Sequence, residues 1–189
     1  MTWIVDEIEA RGGAVPFDEF MELALYHPEH GYYSSEELRY GRGGDYLTAP
    51  TASEWYSRVF ARVLSSTARA VGPLRLVDVA SGDGSFIAGV FEFLGTRADE
   101  VLAEVVSVER SETARSGQTD RLAEAPVPVR WIKNASEPEA GPGPTVVHAS
   151  ELFDAQPVAR VVGRGEGLRE LWVAADGGKL DWQERSVRD

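Results

Sequence analysis

The chain has 189 residues, no cysteine, 43% hydrophobic residues and a formal net charge of −12. That length suits one domain with a real core, the missing cysteines exclude a disulfide framework and a zinc–thiolate site, and the acidity argues against a nucleic-acid backbone as the main partner. No apolar run reaches the roughly 18 residues of a membrane span, and the start MTWIVDEIEARGG has neither a basic n-region nor an Arg-rich, acid-poor composition, so no membrane partner and a cytoplasmic location are expected.

Residues 2–11 and 17–26 read as two short helices split by GGAVP, the second with a broad apolar face of Phe17, Phe20, Met21, Leu23, Ala24 and Leu25. YHPEHGYYSSEELRYGRGGDYLTAP is then a long ordered loop or a functional arm. Helical spacing returns over 52–71 with Trp55, Val59, Phe60, Val63 and Leu64. From residue 74 the rhythm becomes strand, glycine turn, helix, strand: LRLVDVA, SFIAGVFEFLG, EVVSVER, SETARSGQTDRLAE, VPVRWIK and TVVHASEL. Such alternation predicts a parallel α/β sheet. At the end, two half-polar strands flank DGGK, a hairpin signal over 168–185.

In LRLVDVASGDGSF, Gly82 and Gly84 follow a buried-looking strand directly. They mark either a tight turn or a loop whose backbone must approach a ligand at the carboxyl end of the sheet. The dinucleotide fingerprint G-x-G-x-x-G fails because Ile87 stands at its third position. Asp78 precedes the loop inside the strand, where a negative charge suits an amino-bearing ligand better than a pyrophosphate. Glu109 closes the next strand, a place from which an acid can accept bonds from two ribose hydroxyls. A nicotinamide-dependent oxidoreductase is therefore a distant alternative.

An acid, a glycine-rich loop and a second acid closing strand two resemble motif I and its companion in class I S-adenosylmethionine-dependent methyltransferases. FMELALYHPEHGYYSS, GGDYLTAPTASEWYSRVFARVL and ASELFDAQPVARVV together resemble the MidA-like methyltransferase family across nearly the whole chain. The resemblance implies a class I sheet with helices folded over the cofactor cleft, S-adenosyl-L-methionine as cofactor and a protein arginine as methyl acceptor. It implies that Asp78 and the loop of Ala80, Ser81, Gly82 and Gly84 hold the methionine end, that Glu109 holds the ribose, and that Asn134 lies where such folds contact adenine. Ala80 stands where the family has glycine, Ser150 where it has asparagine, and Thr48, Ala49, Pro50, Thr51 where it has Thr-Ser-Pro-Glu.

A guanidinium nucleophile needs carboxylates to orient its donors. Glu151 and Asp154 leave the fourth strand at its carboxyl end, and a helical turn beginning after Ser150 would put both on one face to meet the substrate; helix-start acids favoured by the macrodipole are the alternative. Tyr32, Tyr33, Asp45 and Tyr46 either close over the site or form a packed loop. His27, before a proline, is expected to stabilise a turn, Trp55 and Trp131 to be core, and the three histidines show no metal-ligand spacing.

A class I methyltransferase sheet has about seven strands, whereas this sequence signals about four and a hairpin. The expectation is an N-terminal portion of such an enzyme, divided as a helical cover with cleft loop (1–72) and a partial cofactor-binding α/β domain (73–189). A catalytically impaired remnant serving as a binding or assembly module is the alternative function. TVVHAS should lie at an unprotected sheet edge.

Overall fold

The computed structural model describes residues 2–34, 48–134, 141, 143–165 and 167–188. In chain order, α1 (Thr2–Ala10), β1 (Ala14–Pro16) and α2 (Phe17–Tyr26) come first. Then follow α3 (Ala49–Ala52), α4 (Glu54–Val71), β2 (Leu74–Val79), α5 (Ser85–Leu94), α6 (Ala98–Val101) and β3 (Leu102–Val108). The rest is α7 (Glu112–Arg121), β4 (Val129–Ile132), β5 (Thr145–Ala149), β6 (Val161–Arg164), β7 (Gly167–Asp176) and β8 (Lys179–Ser186).

The contacts gather these elements into two compact units, Met1–Ser35 with Phe153–Asp189, and Glu36–Leu152. The sequence division at residue 72 follows neither: the hairpin expected in the cofactor domain groups with α1 and α2 instead.

The central unit, Glu36–Leu152, carries a four-stranded parallel sheet in the order β4-β3-β2-β5. Its strands read as apolar runs because they are covered: Leu74, Leu76 and Val105 pack on α4 and α5, while Val77, Val106 and Val108 form a second cluster. Hydroxyl caps set the helix starts. Ser53 accepts from Trp55 N at 3.2 Å before α4, and Ser111 accepts from Ala114 N at 3.2 Å before α7. At α3, Thr48 and Thr51 cap each other reciprocally. Thr51 thus supplies the second half of a capping box. Gly72, at φ +89, ends α4.

In α4 the sequence expectation fails in an instructive way. Trp55 is 61% exposed rather than core, and Val59 and Val63 are exposed too. The buried face is Ser57, Ala61, Leu64 and Ala68. Small residues face inward because α4 and α5 approach closely: a Cβ on Gly89 would stand 2.7 Å from Ser57 Cβ. Trp55 instead lies against the guanidinium of Arg58, 4.8 Å from its ring.

β5 pairs with β2 alone among the described residues, so it is an edge of this sheet, and Val147 on it is 64% exposed. This agrees with the expectation for TVVHAS.

The other unit is an antiparallel sheet. β7 pairs with β8 along one side and with β6 and β1 along the other. Gly177 and Gly178 turn the β7–β8 hairpin at φ +56 and +80, the two positive values a two-residue primed turn requires. One face packs Val173, Ala175 and Leu180 against Ile4, Ile8 and Leu23 of α1 and α2.

Candidate cofactor site

β2 lies inside the sheet between β3 and β5, so the loop after Val79 opens at the carboxyl ends of the strands, where open α/β sheets bind ligands. Ala80, Gly82 and Gly84 hold φ of +58, +55 and +78. Two of these positions are relieved by glycine, and Ala80 carries the strain a Cβ adds there.

Side chains from three other elements fix this backbone. Gln118 of α7 is fully buried at 0% exposure. Its amide nitrogen donates to Gly82 O at 2.6 Å and to Ser81 Oγ at 3.0 Å. Its amide oxygen accepts from Ser107 Oγ of β3 at 2.5 Å and from Trp131 Nε1 of β4 at 3.0 Å. Ser81 and Ser107 hydroxyls lie 2.6 Å apart. Gly84 leaves no room beside this amide: a Cβ would stand 3.0 Å from Gln118 Cγ. Asp83 accepts from Ser85 N at 3.0 Å and from Arg121 at 3.1 Å, which joins the start of α5 to α7.

Glu109 follows β3. One carboxylate oxygen accepts from Gly82 N at 2.9 Å and the other from Ser111 N at 2.8 Å. Burial pushes its carboxyl above the ordinary range, while bonds from Ser111, Gly82 and Arg110 and the charge of Arg115 pull it back. A carboxylate has about four lone-pair sites, so with Gly82, Ser111 and Arg110 bonded one remains for a further donor.

Asp78 lies behind the loop. It is 2% exposed, in register with Ser107 on one side and His148 on the other. Its Oδ1 is 2.6 Å from His148 Nδ1, and His148 Nε2 is 2.9 Å from the Tyr56 hydroxyl of α4. The imidazole is stacked on Phe86 at 3.8 Å. Asp78 Oδ2 is buried with no protein partner. Desolvation raises the Asp78 carboxyl, and the His148 bond opposes it.

The remaining sequence candidates spread out. Asn134 is exposed two residues past the end of β4. Glu151 takes φ +54, and the 3-10 turn Phe153–Ala155 that contains Asp154 starts after it. The helical phase invoked to align the two acids is thus absent. Both are exposed, and they fall in different units. Tyr33 packs its ring on Tyr26, 5.5 Å between centroids, and the Tyr26 hydroxyl donates to Ala155 O at 2.9 Å. Asp45 and Tyr46 lie outside the described residues. His27 Nδ1 accepts from the backbone N–H of Glu29 and His30, both at 3.2 Å, the turn role expected of it. Trp131 is half-buried and packs against the core.

A family model described as putative S-adenosyl-L-methionine-dependent methyltransferase matches residues 56–189. The chain belongs to this family. Its cofactor is S-adenosyl-L-methionine, and the α/β fold is that of a class I methyltransferase. A Burkholderia thailandensis protein crystallised with S-adenosyl-homocysteine is 31% identical, with a TM-score of 0.80 over 98% of this chain and 49% of its own. A native crystal structure from the same species, of an uncharacterised protein, is 30% identical, with a TM-score of 0.74 over 97% of this chain and 47% of its own. Protein arginine methyltransferase NDUFAF7, mitochondrial, of Xenopus tropicalis is 25% identical over 89% of this chain and 45% of its own length. Its Drosophila melanogaster homologue is 28% identical over 58% of this chain and 26% of its own. The chain thus spans half the length of these relatives or less.

The residues present fit the family's cofactor. The loop is left-handed at three positions and pinned at Gly82, so its backbone is shaped for the close approach of a ligand. Sequence reasoning missed Gln118, Ser107, Tyr56 and His148. One signal was available: an aspartate inside a buried strand must find a partner, and His148 stands one residue before the end of β5, as Asp78 does before the end of β2.

Proposed function

We propose that this chain binds S-adenosyl-L-methionine and carries that half of a methyltransferase acting on a protein side chain, arginine. The observation that carries the reading is the pinned left-handed loop of Ala80, Ser81, Gly82 and Gly84, in a chain that matches an S-adenosyl-homocysteine-bound neighbour over 98% of its length. The arginine acceptor rests on the two relatives whose names state it. In this reading the loop backbone holds the methionine end, the Glu109 carboxylate meets the ribose hydroxyls, and Asn134 meets the adenine. Asp78, whose Oδ1 is turned to His148 and whose buried Oδ2 has no protein partner, joins the loop at the methionine end. Glu151 orients the guanidinium, and Asp154, in the other unit, is tested separately for the same role.

Calorimetry with S-adenosyl-homocysteine tests the cofactor half. The chain should bind it, and Glu109→Ala should weaken binding by about 1.5–3 kcal/mol per charged hydrogen bond lost. A folded chain that ignores S-adenosyl-homocysteine but binds NAD would end this reading. Labelled methyl transfer to an arginine-bearing peptide tests the other half, with Glu151→Gln and Asp154→Asn expected to abolish transfer while leaving cofactor affinity intact.

A second reading is a cofactor-binding module that turns over only beside further polypeptide. The outer edge of β5, unpaired among the described residues and with Val147 exposed, favours it. Binding of S-adenosyl-homocysteine without any transfer is its signature.

A further inference from the structure

The Asp78–His148–Tyr56 chain is a buried titratable cluster that joins the strand before the glycine loop to β5 and α4. Its members come from β2, β5 and α4, so three separate elements converge to build it. Holding a carboxylate, an imidazole and a phenol together under Phe86 and Phe60 costs desolvation that an apolar trio would avoid.

Its polarity follows from the donor inventory. With Asp78 ionised, the state the His148 bond favours, its carboxylate only accepts, and His148 Nδ1, 2.6 Å from Oδ1, carries the proton. The neutral ring then presents a lone pair at Nε2, and the Tyr56 hydroxyl, 2.9 Å away, spends its one proton there. The phenol oxygen is left as an acceptor only. Tyr56 is partly exposed, whereas Asp78 and His148 are buried. Asp78 and His148 each stand one residue before the carboxyl end of their strand, the end at which sheets of this kind bind ligands.

We propose that Asp78, His148 and Tyr56 form a proton relay that presents the Tyr56 oxygen as a fixed acceptor to an N–H of the methyl acceptor. The proposal rests on the methyltransferase reading and deepens it by selecting a nitrogen nucleophile. The chemistry requires such a group. As the sulfonium–methyl bond breaks, its electron pair returns to sulfur and the N–CH3 bond forms. A guanidinium that already carries one positive charge must then shed an N–H proton. That proton passes to the Tyr56 oxygen while the Tyr56 proton passes to His148 Nε2. The resulting imidazolium is held by the Asp78 carboxylate until it releases a proton to water. A carboxylate acceptor, which has no proton to give, has no use for this device.

The test uses the full chain with 15N-labelled histidine, and His148→Gln assigns the His148 signals. Expected are a proton on Nδ1, far downfield as short carboxylate bonds make it, and an acceptor signal at Nε2 that shifts in Tyr56→Phe. A proton resident on Nε2, or a His148 spectrum blind to Tyr56→Phe, overturns the relay. Tyr56→Phe keeps the ring that packs on Phe60 and Phe86, so it should fold. It should bind S-adenosyl-homocysteine as the wild type does, yet lose about 100-fold or more in transfer to an arginine peptide. Equal losses of affinity and transfer would mark Tyr56 as a brace and overturn the proton role, as would undiminished transfer. A wild-type chain that binds the cofactor product but methylates no nitrogen acceptor overturns it too. If the wild type binds no S-adenosyl-homocysteine, the methyltransferase reading fails, and the imidazole spectrum still decides whether the relay exists.

Discussion

Around the glycine loop the polar groups lie inside, whereas in the antiparallel sheet of β1 and β6–β8 the charged ones lie mostly at the rim, with Glu170 the buried exception. Gln118, Ser107 and Ser81 are buried and bonded to one another, to Gly82 O and to Trp131. In the antiparallel unit, by contrast, guanidinium groups lie over aromatic rings: Arg160 over Phe17 and Trp182 at 5.1 and 4.8 Å, and Arg185 over Trp172 at 4.0 Å. Arg188 reaches Glu170 at 2.7 Å and Asp18 at 2.8 Å, and Arg164 pairs with Glu184. Buried amide and hydroxyl bonds fix positions because each unmade bond is costly. Exposed cations on rings and carboxylates can re-form elsewhere and fix much less. A loop that must receive a ligand within a fraction of an ångström is built with the first kind.

Breaking the hub should therefore have the largest effect. Gln118→Leu removes the partner of Gly82 O, Ser107 Oγ, Ser81 Oγ and Trp131 Nε1 together. At about 1–3 kcal/mol for each group left unsatisfied, a loss of at least about 3 kcal/mol is expected in denaturant unfolding, with cofactor affinity falling alongside. A loss under about 1 kcal/mol would mean that water replaces the amide.

The loop backbone comes next. Gly84→Ala puts a Cβ at φ +78 and 3.0 Å from Gln118 Cγ, which should cost about 1–3 kcal/mol. Ala80→Gly is the mirror image. It relieves a residue at φ +58, a gain of about 1–2 kcal/mol partly offset by the extra freedom of glycine in the unfolded chain. Equal or slightly higher stability and equal or tighter S-adenosyl-homocysteine binding are expected. A tenfold loss of affinity would show that the Ala80 methyl packs against the ligand.

In the antiparallel unit, Arg160→Ala should cost only about 1 kcal/mol, the worth of a partly exposed cation over aromatic rings. It should leave cofactor affinity unchanged. A cost like that of Gln118→Leu would erase the contrast between the two regions.

The sequence displayed the first region better than its cause. The strand–loop–helix rhythm of 74–94, the acid at Glu109 and the edge at TVVHAS were legible because periodicity and glycine placement report backbone needs directly. Gln118 was not legible. In SETARSGQTDRLAE it reads as one more polar residue on a solvated helix, and only the three-dimensional convergence of α7, β3 and β4 makes it a hub. The inner face of α4 was misread for a related reason: valines and a tryptophan outweigh Ser57 and Ala61 on any hydropathy scale, but close approach to Gly89 needs the small side chains. β1 and β6 were missed because three or four residues give no period, and β7 supplies the template that makes them strands.

The smallest effect expected is a pH dependence at Glu109, and it sharpens the comparison by its sign. Burial raises this carboxyl above its ordinary value of 4.5, so the folded state binds the proton more tightly than the unfolded one. Its favourable contribution is fully present below that value and is lost as pH rises through the higher folded one. In the antiparallel unit, Glu170 runs the other way: the bond from Arg188 lowers its carboxyl below the ordinary 4.5, so its contribution is present above 4.5 and lost as pH falls. Glu109→Gln removes the first titration while leaving an amide oxygen able to accept from Gly82 N. The stability of the variant relative to wild type should therefore improve as pH is raised from about 4.5 toward neutrality, by roughly 1.4 kcal/mol for every tenfold by which folding tightens proton binding at this carboxyl. Urea unfolding of both proteins across that range measures it. A gap that stays constant, or that closes in the opposite direction, would mean that the bonds from Gly82 and Ser111 outweigh burial and that the ionised carboxylate is the form this loop is built to hold.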